Sequence, residues 1–397
     1  MSTTDTGTAY GRPAGTSLLE LAQVGPGTPY GEVLRRYWQP VALSTDATTT
    51  PKRLRVLGED LILFRTRRGK AGLIVPDCAH RGASLFFGKV EDEGIRCCYH
   101  GWVFDTEGRC LEQPCEPDLG RHRDRVRQPW YPVREYHGLV FAYMGPADRK
   151  PAFPLYDILE NLGQGEFVLA DDSSFGGGGP ADLDFSWLSH WENVVDPFHV
   201  PILHARFSGN QFVPEMAIMP ECEFSYTSAG VRVTSLRHFD DGRLLTRITE
   251  VLFPNIRLVA GPKLSATGQA RFIGWVVPFD DTNFRVFTLA RADRPDYLLG
   301  ERSKMAGGKW WHELTETEHQ SYPGDYESQK SQGAIPVHSR EFLTTTDQGI
   351  AMLRRMMAKQ IKVVADGGDP VGVTLGADTV AYRVVPGNYF DGVPVGA

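Results

Sequence analysis

Hydrophobic and polar positions alternate in short runs through the first third of the chain. Leu54-Arg55-Val56-Leu57, Leu61-Ile62-Leu63-Phe64, Gly72-Leu73-Ile74-Val75 and Leu139-Val140-Phe141-Ala142-Tyr143 are bounded by Gly, Pro and Asp turns, which predicts an all-β module from about residue 38 to 148. The Pro-rich stretch from Gly145-Pro146 to Pro154 ends it. Further on the period changes. Leu188, Trp191, Val195 and Phe198 recur three or four apart and predict a helix over 181–200. The segment 345–364 carries Ile350, Leu353, Met357, Ile361 and Val364 as one stripe, with Thr345-x-x-Gln348 as a capping box at its start. Strands are expected between 220 and 290, so the fold class is α+β. The first 37 residues read as a flexible arm followed by a helix packing on the second half, giving three parts: 1–37, 38–148 and 149–397.

At 397 residues the chain exceeds what one core usually organises. A formal net charge of −7 argues against nucleic acid or an anionic membrane as partner. No apolar run approaches the roughly 20 residues that span a bilayer, and the polar start MSTTDTGTAYGRPAGTS does not resemble a secretion signal. A cytoplasmic enzyme is the expectation. Cys78, Cys97, Cys98, Cys110 and Cys115 cluster while Cys222 stands apart, which favours a metal site over a disulfide framework.

Cys78-Ala79-His80 and Cys97-Cys98-Tyr99-His100 form C-x-H and C-x-x-H pairs separated by sixteen residues. Two such pairs suit a tetrahedral zinc. The following segments, Arg81-Gly82-Ala83-Ser84 and Gly101-Trp102-Val103-Phe104, supply glycines that let backbone N–H groups approach bridging sulfides, which a single zinc does not need. The whole resembles a Rieske [2Fe–2S] site, with Cys78 and Cys97 on one iron and His80 and His100 on the other. Ala83 and Tyr99 stand where respiratory Rieske proteins carry an extra cysteine pair, and Trp102 where they carry Ser. The site is therefore similar to the low-potential kind that feeds oxygenases. Cys98, Cys110 and Cys115 read as ordinary small residues.

The stretch HWENVVDPFHVPILH (190–204) crowds His190, Glu192, Asn193, Asp196, His199 and His204 into an apolar context. Burying such groups unpaired costs several kcal/mol by typical estimates. On a regular helix His204 points about 140° away from His199. Pro201 between them must kink or end the helix and swing His204 back. Two histidines and a carboxylate on one face is the pattern of a non-haem Fe(II) site with open positions; two satisfied core histidines are the plain alternative.

CAH…CCYHGW followed by ENVVDPFHVPILH resembles the oxygenase component (alpha subunit) of Rieske non-haem iron aromatic-ring-hydroxylating oxygenases. TPYGEVLRRYWQPVAL (28–43) and VLGEDLILFR (56–65) resemble the phthalate 4,5-dioxygenase-like branch. The resemblance implies a helix-grip catalytic domain, a [2Fe–2S] Rieske cluster, a mononuclear Fe(II), a homotrimer (alone or stacked into a hexamer) and a separate NAD(P)H-dependent reductase of flavin and ferredoxin type. It also implies that Asp347 is the third ligand beside His199 and His204. On the residues alone, Asp347 extends the inward stripe but equally suits a helix N-terminus. The resemblance gives Asp196 a bridging role, between His199 and the neighbouring subunit's His100, and Asn193 a place near the iron. Gly176 to Gly179 before Pro180 form a loop, not a nucleotide site. Arg206, Phe207, Phe212, Ile256, Arg257 and Phe287 are candidate pocket residues, an arginine among them suiting an aromatic carboxylate. The expected reaction is hydroxylation or cis-dihydroxylation of an aromatic substrate with O2. Mono-oxygenation ending in O- or N-demethylation, and a Rieske electron carrier without oxygenase activity, are the alternatives.

Overall fold

The computed structural model describes residues 9, 14–176, 178–209, 211–261, 263–264, 268–302 and 304–391. Most of the expected arm, residues 1–8 and 10–13, lies outside them. Two short helices follow, Leu19–Ala22 and Pro29–Leu34, the second opened by Pro29 where a missing N–H costs nothing. Both pack on the long Gln348–Ala365 helix, and Trp187 ties the first of them down by donating from Nε1 to the Ala22 carbonyl at 2.9 Å. Tyr30 stacks on Trp187 with ring centroids 5.3 Å apart. The N-terminal helices thus belong to the core of the second half.

The β-rich region is built on short sheets. Trp38–Leu43 pairs with Leu139–Tyr143, so the two ends of the segment lie side by side. Lys52–Val56, Glu59–Arg65, Ala71–Ile74 and Trp130–Tyr131 form one four-stranded sheet. Lys89–Val90, Gly94–Arg96, Val103–Asp105 and Cys110–Glu112 form another. A separate small core of Ile62, Phe64, Ile74, Leu85, Ile95 and Phe104 packs between them, with Cys78 and Cys97 at its edge.

The second half is organised by a nine-stranded antiparallel sheet. Its main path runs Phe167–Asp171, Asn283–Ala292, Phe272–Asp280, Ile256–Leu258, Leu244–Leu252, Gly230–His238 and Glu221–Tyr226. The sheet holds the Trp187–Asn193 and Gln348–Ala365 helices against it, which is the helix-grip arrangement. On the long helix Gly349, Met352, Leu353, Met357, Gln360 and Val364 are buried. The buried stripe thus runs beside the expected one: Ile350 and Ile361 sit at its margin.

Two boundaries differ from expectation. The helix expected over 181–200 is only Trp187–Asn193, and after a turn a π-helix runs Val200–Phe207. Pro201 lies in the first turn of that second helix, where its missing N–H is tolerated, so it begins an element and does not kink one. In place of the expected Thr345-x-x-Gln348, the capping box is Thr344-x-x-Asp347 on the 3-10 turn Thr345–Asp347 that leads into the long helix, because Asp347 can accept from the Thr344 N–H at 2.7 Å.

Candidate metal centres and cavity

The two cysteine loops are built alike. Cys78 N–H donates to the Ala83 carbonyl and Gly82 N–H to the Cys78 carbonyl; Cys97 N–H donates to the Trp102 carbonyl and Gly101 N–H to the Cys97 carbonyl. Each turn needs a left-handed residue, met by Gly82 at φ 74° and Gly101 at φ 72°. A Cβ on Gly101 would also lie 2.8 Å from Pro114. The loops bring four side chains together. The His80 and His100 rings lie 4.6 Å apart, and Trp102 stacks on His80 at 4.4 Å.

Two observations fit a cluster held here. His80 Nδ1 is buried without a partner among the described residues, an atom able to serve as a ligand. Burial and the neighbouring Cys97 push the Cys78 thiol up to about 11, while N–H groups of His80 and Arg81 point at its sulfur. A cation that ionises both thiols would relieve that crowding. Cys98 and Cys115 are exposed, Cys110 is buried and Cys222 half-buried, all four unbridged.

The second centre answers the crowding of polar groups in 190–204. Glu192 makes a two-pronged ion pair with Arg354 at 2.6 and 2.8 Å. His190 meets Gln329 through Nδ1 at 3.0 Å and Arg257 through Nε2 at 3.3 Å. Burial and the Arg257 charge hold His190 down at about 3, so it is neutral and serves as a fixed strut. Of the remaining four groups, Asn193, His199 and His204 converge on a carboxylate that sequence reasoning passed over.

That carboxylate is Asp325, at the first turn of the Asp325–Lys330 helix. One ligand atom from each of His199, His204 and Asp325 lies within 4.8 Å of the others. His204 Nε2 is 3.4 Å and His199 Nε2 3.9 Å from the Asp325 carboxylate. The π-helical backbone explains the histidine spacing: i→i+5 hydrogen bonding, seen in Ser208 N–H to the Leu203 carbonyl, returns residues five apart to one side.

Each histidine is oriented from behind. His199 Nδ1 faces the Asp196 backbone carbonyl at 2.5 Å, and His204 Nδ1 faces Gln211 Oε1 at 2.5 Å. Both partners only accept, so both Nδ1 atoms carry a proton and both Nε2 atoms face Asp325, that of His199 also within reach of Asn193 Nδ2. Phe212 stacks on His204 at 4.1 Å and fixes the ring plane. Burial pushes the Asp325 carboxyl up, but His204 and His199 outweigh it and hold it well below the usual carboxylate range. Two imidazole lone pairs and one ionised carboxylate form a donor set that fits a divalent first-row metal.

The expected third ligand, Asp347, is elsewhere. Its Oδ2 accepts from the Thr344 N–H and, at 3.1 Å, the Thr344 hydroxyl, closing the turn that leads into the long helix. That contact suits the helix N-terminus reading of the residue. Asp325 sits on a helix of six residues, too short to show a period, 121 positions after His204. The Pro323-Gly324 break before an acidic first turn was the available signal. Asp196 also differs in detail. Its backbone oxygen makes the short contact with His199, while its carboxylate caps the Phe198 N–H at 3.0 Å and stays 3.6 Å from His199 Nδ1. Asn193 Nδ2 lies 3.3 Å from His199 Nε2 and 3.4 Å from Asp325.

A cavity of about 240 Å³ opens beside the triad, and His199, His204, Asp325, Asn193 and Asp196 line it. Of the six expected pocket residues, Phe212 and Arg257 line it too. Arg206 and Phe207 are exposed on the outer side of the π-helix. Ile256 and Phe287 are buried in the core, because alternation on a strand sends them to the face opposite Arg257 and Thr288, which do line the cavity. Gly176 and Gly178 of the glycine loop form part of the wall.

Residues 37–132 match the family described as Rieske [2Fe-2S] domain. Over 388 residues the chain is 48% identical to the phenoxybenzoate dioxygenase subunit alpha of Ectopseudomonas oleovorans, covering 97% of this chain and 94% of that protein. The chain is an oxygenase alpha subunit of the Rieske oxygenase family. It is also 37% identical over 384 residues to the tert-butanol monooxygenase / tert-amyl alcohol desaturase oxygenase subunit of Aquincola tertiaricarbonis, covering 90% of this chain and 79% of that one. The solved structure of the Pseudomonas putida CBB5 NdmA QL mutant with theobromine superposes with a TM-score of 0.62 at 18% identity, covering 86% of this chain and 94% of that one, a likeness of fold. As a Rieske oxygenase the chain is an oxidoreductase that works with a [2Fe–2S] cluster and a mononuclear iron. No helix among the described residues is long and apolar enough to cross a membrane.

Proposed function

We propose that this Rieske oxygenase is the terminal component of a multicomponent system that oxidises an aromatic compound held in the 240 Å³ cavity. Cys78, His80, Cys97 and His100 hold the cluster; His199, His204 and Asp325 hold the iron. The observation that carries the reading is the convergence of two Nε2 lone pairs and one carboxylate on a wall of that cavity. When bound, the metal groups supply electrons and open coordination positions for O2. The chain's own residues do the rest. Asp196 and Gln211 fix the imidazole tautomers, Asn193 donates to Asp325, and the cavity walls orient the substrate ring. Support for an aromatic substrate comes from the similarity to the phenoxybenzoate dioxygenase subunit.

Electrons come from a separate NAD(P)H-dependent reductase and cross between subunits of a homotrimer, from His100 of one chain to Asp196 and His199 of the next. Support for this is that the Asp196 side chain is 30% exposed, and the His100 ring is only half-buried. Anaerobic loading with ferrous iron should give three irons per chain. Admission of O2 with a reductase and a panel of aromatic compounds should then yield products heavier by one or two oxygens, or demethylated ones if mono-oxygenation dominates. Two irons per chain and no product with any panel member would make the chain an electron carrier. Mixed trimers of Cys97→Ala and His199→Ala chains, each inactive alone, should regain activity; mixed trimers that form and stay dead would remove the inter-subunit route.

A further inference from the structure

The concave face of the large sheet changes character part-way along its strands. On Gly230–His238 the inward series Val231, Val233, Ser235, Arg237 starts apolar and ends polar. On Leu244–Leu252 the corresponding series is Leu245, Arg247, Thr249, Val251. The antiparallel register sets Ser235 opposite Arg247 and Arg237 opposite Leu245. Arg237 and Arg247 are therefore diagonal neighbours on one face. They are 1% and 6% exposed, and both line the cavity that holds the His199–His204–Asp325 triad.

Two adjacent buried guanidiniums are expensive unless something anionic meets them. Among the described residues neither makes an ion pair. Arg237 donates from Nε to the Ile218 carbonyl at 3.0 Å, and its Nη1 is buried with no partner. Arg247 donates to Asn388 Oδ1 at 2.8 Å and to the Ala260 and Gly261 carbonyls at 2.7 and 3.3 Å. All four acceptors are neutral. Burial, then repulsion from Arg237, pulls Arg247 down to about 9. A buried donor left unmade costs about 1–3 kcal/mol, and this one borders a cavity.

Arg257 shows what a purely structural arginine in the same wall looks like. It faces His190 Nε2 and the Ser174 carbonyl, and it lies in the field of Asp325 and Asp171. Gly274 makes room for it, since a Cβ there would sit 2.8 Å from its Nε. The other ionisable groups on the cavity wall are Asp196 and the Asp171–Arg302 pair. For Arg237 burial and the neighbouring Arg247 charge are met by no carboxylate among the described residues; the half-buried Cys222 is the group that favours its charge.

We infer that Arg237 and Arg247 form an anion seat that grips the carboxylate of an aromatic acid and so sets which part of its ring faces the triad. The inference rests on the triad being the oxidation centre and names the substrate class of that same cavity. A guanidinium fork matches a planar carboxylate in geometry as well as charge. The Ser235 hydroxyl, directly opposite Arg247, adds a neutral donor to the same floor.

The test separates the seat from the chemistry by measuring binding without turnover. Oxidised holoenzyme, free of O2 reductant, is titrated calorimetrically with benzoate, phthalate and 3-phenoxybenzoate, each beside its carboxamide. At least one acid should bind about 10-fold or more tighter than its amide. In Arg237→Met that acid should weaken about 100-fold while the amide shifts less than about 3-fold, with cluster spectrum and iron content unchanged. Arg237→Lys, which keeps the charge but not the fork, should fall between. If no acid outbinds its amide in the unmutated enzyme, the seat is wrong whatever the variants do. An unchanged acid affinity in Arg237→Met overturns it as well. Normal acid preference with no turnover would instead count against the triad and leave the seat standing.

Discussion

The two proposed metal centres of this chain are built in opposite ways. The four cluster residues sit on two short loops within residues 78–100, and each loop closes with the same pair of backbone hydrogen bonds around a left-handed glycine. The proposed iron site draws one histidine from the N-cap of a π-helix, one from its body, and a carboxylate from a six-residue helix 121 positions after His204. A local site is specified by loop chemistry alone. A distributed one depends on the whole second core to bring its parts within a few ångströms.

That contrast predicts that each centre can be removed without the other, and the largest effects should come from doing so. Asp325→Ala should lose the mononuclear iron and cut turnover on the order of a thousandfold or more, as loss of one member of a unit does. Its visible cluster spectrum should stay intact. Iron retained in Asp325→Ala but lost in Asp347→Ala would restore the ligand set that the family resemblance implied. Conversely, Cys97→Ala should bleach the cluster yet keep one iron per chain by metal analysis; loss of all three would mean the sites fold as one.

Smaller effects should come from the residues behind the ligands. Gln211→Leu leaves the His204 Nδ1 proton without its acceptor. It should weaken iron retention or turnover about 10- to 100-fold, measured by iron release to a chelator. Asp196→Asn keeps the backbone carbonyl that orients His199, so iron should stay bound. If its carboxylate carries the inter-subunit contact, turnover should still fall about 10-fold or more, while external reduction of the cluster is unchanged. Equal iron loss in both variants would show that Asp196 acts only as a support.

The smallest effect is assigned to Asp347. Asp347→Ala removes a capping box and should lower unfolding free energy by about 1 kcal/mol with activity intact. An activity loss beyond what that destabilisation explains would bring Asp347 back towards the site.

How much of this was legible depended on range. The cluster residues, the strand runs and the long helix showed as spacings and periods inside windows of about twenty residues. His199 and His204 were visible as a pair, but Pro201, expected to kink or end a helix, falls in the first turn of a π-helix, and the preceding helix already stops at Asn193. Asp325 was invisible because a carboxylate at a helix start looks the same whether it caps the helix or holds a metal. Arg237 and Arg247 were missed for a different reason. They fall at the inward positions of alternating strands, where a basic residue reads as outward, and only the register shows them side by side.

The sequence by itself therefore pointed to the family, the strand runs of the first third, and the Cys/His and His/His spacings on which the proposed centres rest, since all of these are local. Tertiary structure decided which acid completes the triad, which strand faces line the cavity and which arginines stand unpaired in it. Those outcomes follow from cross-strand register and from the packing of a short helix against the site, and both join residues that the chain keeps far apart.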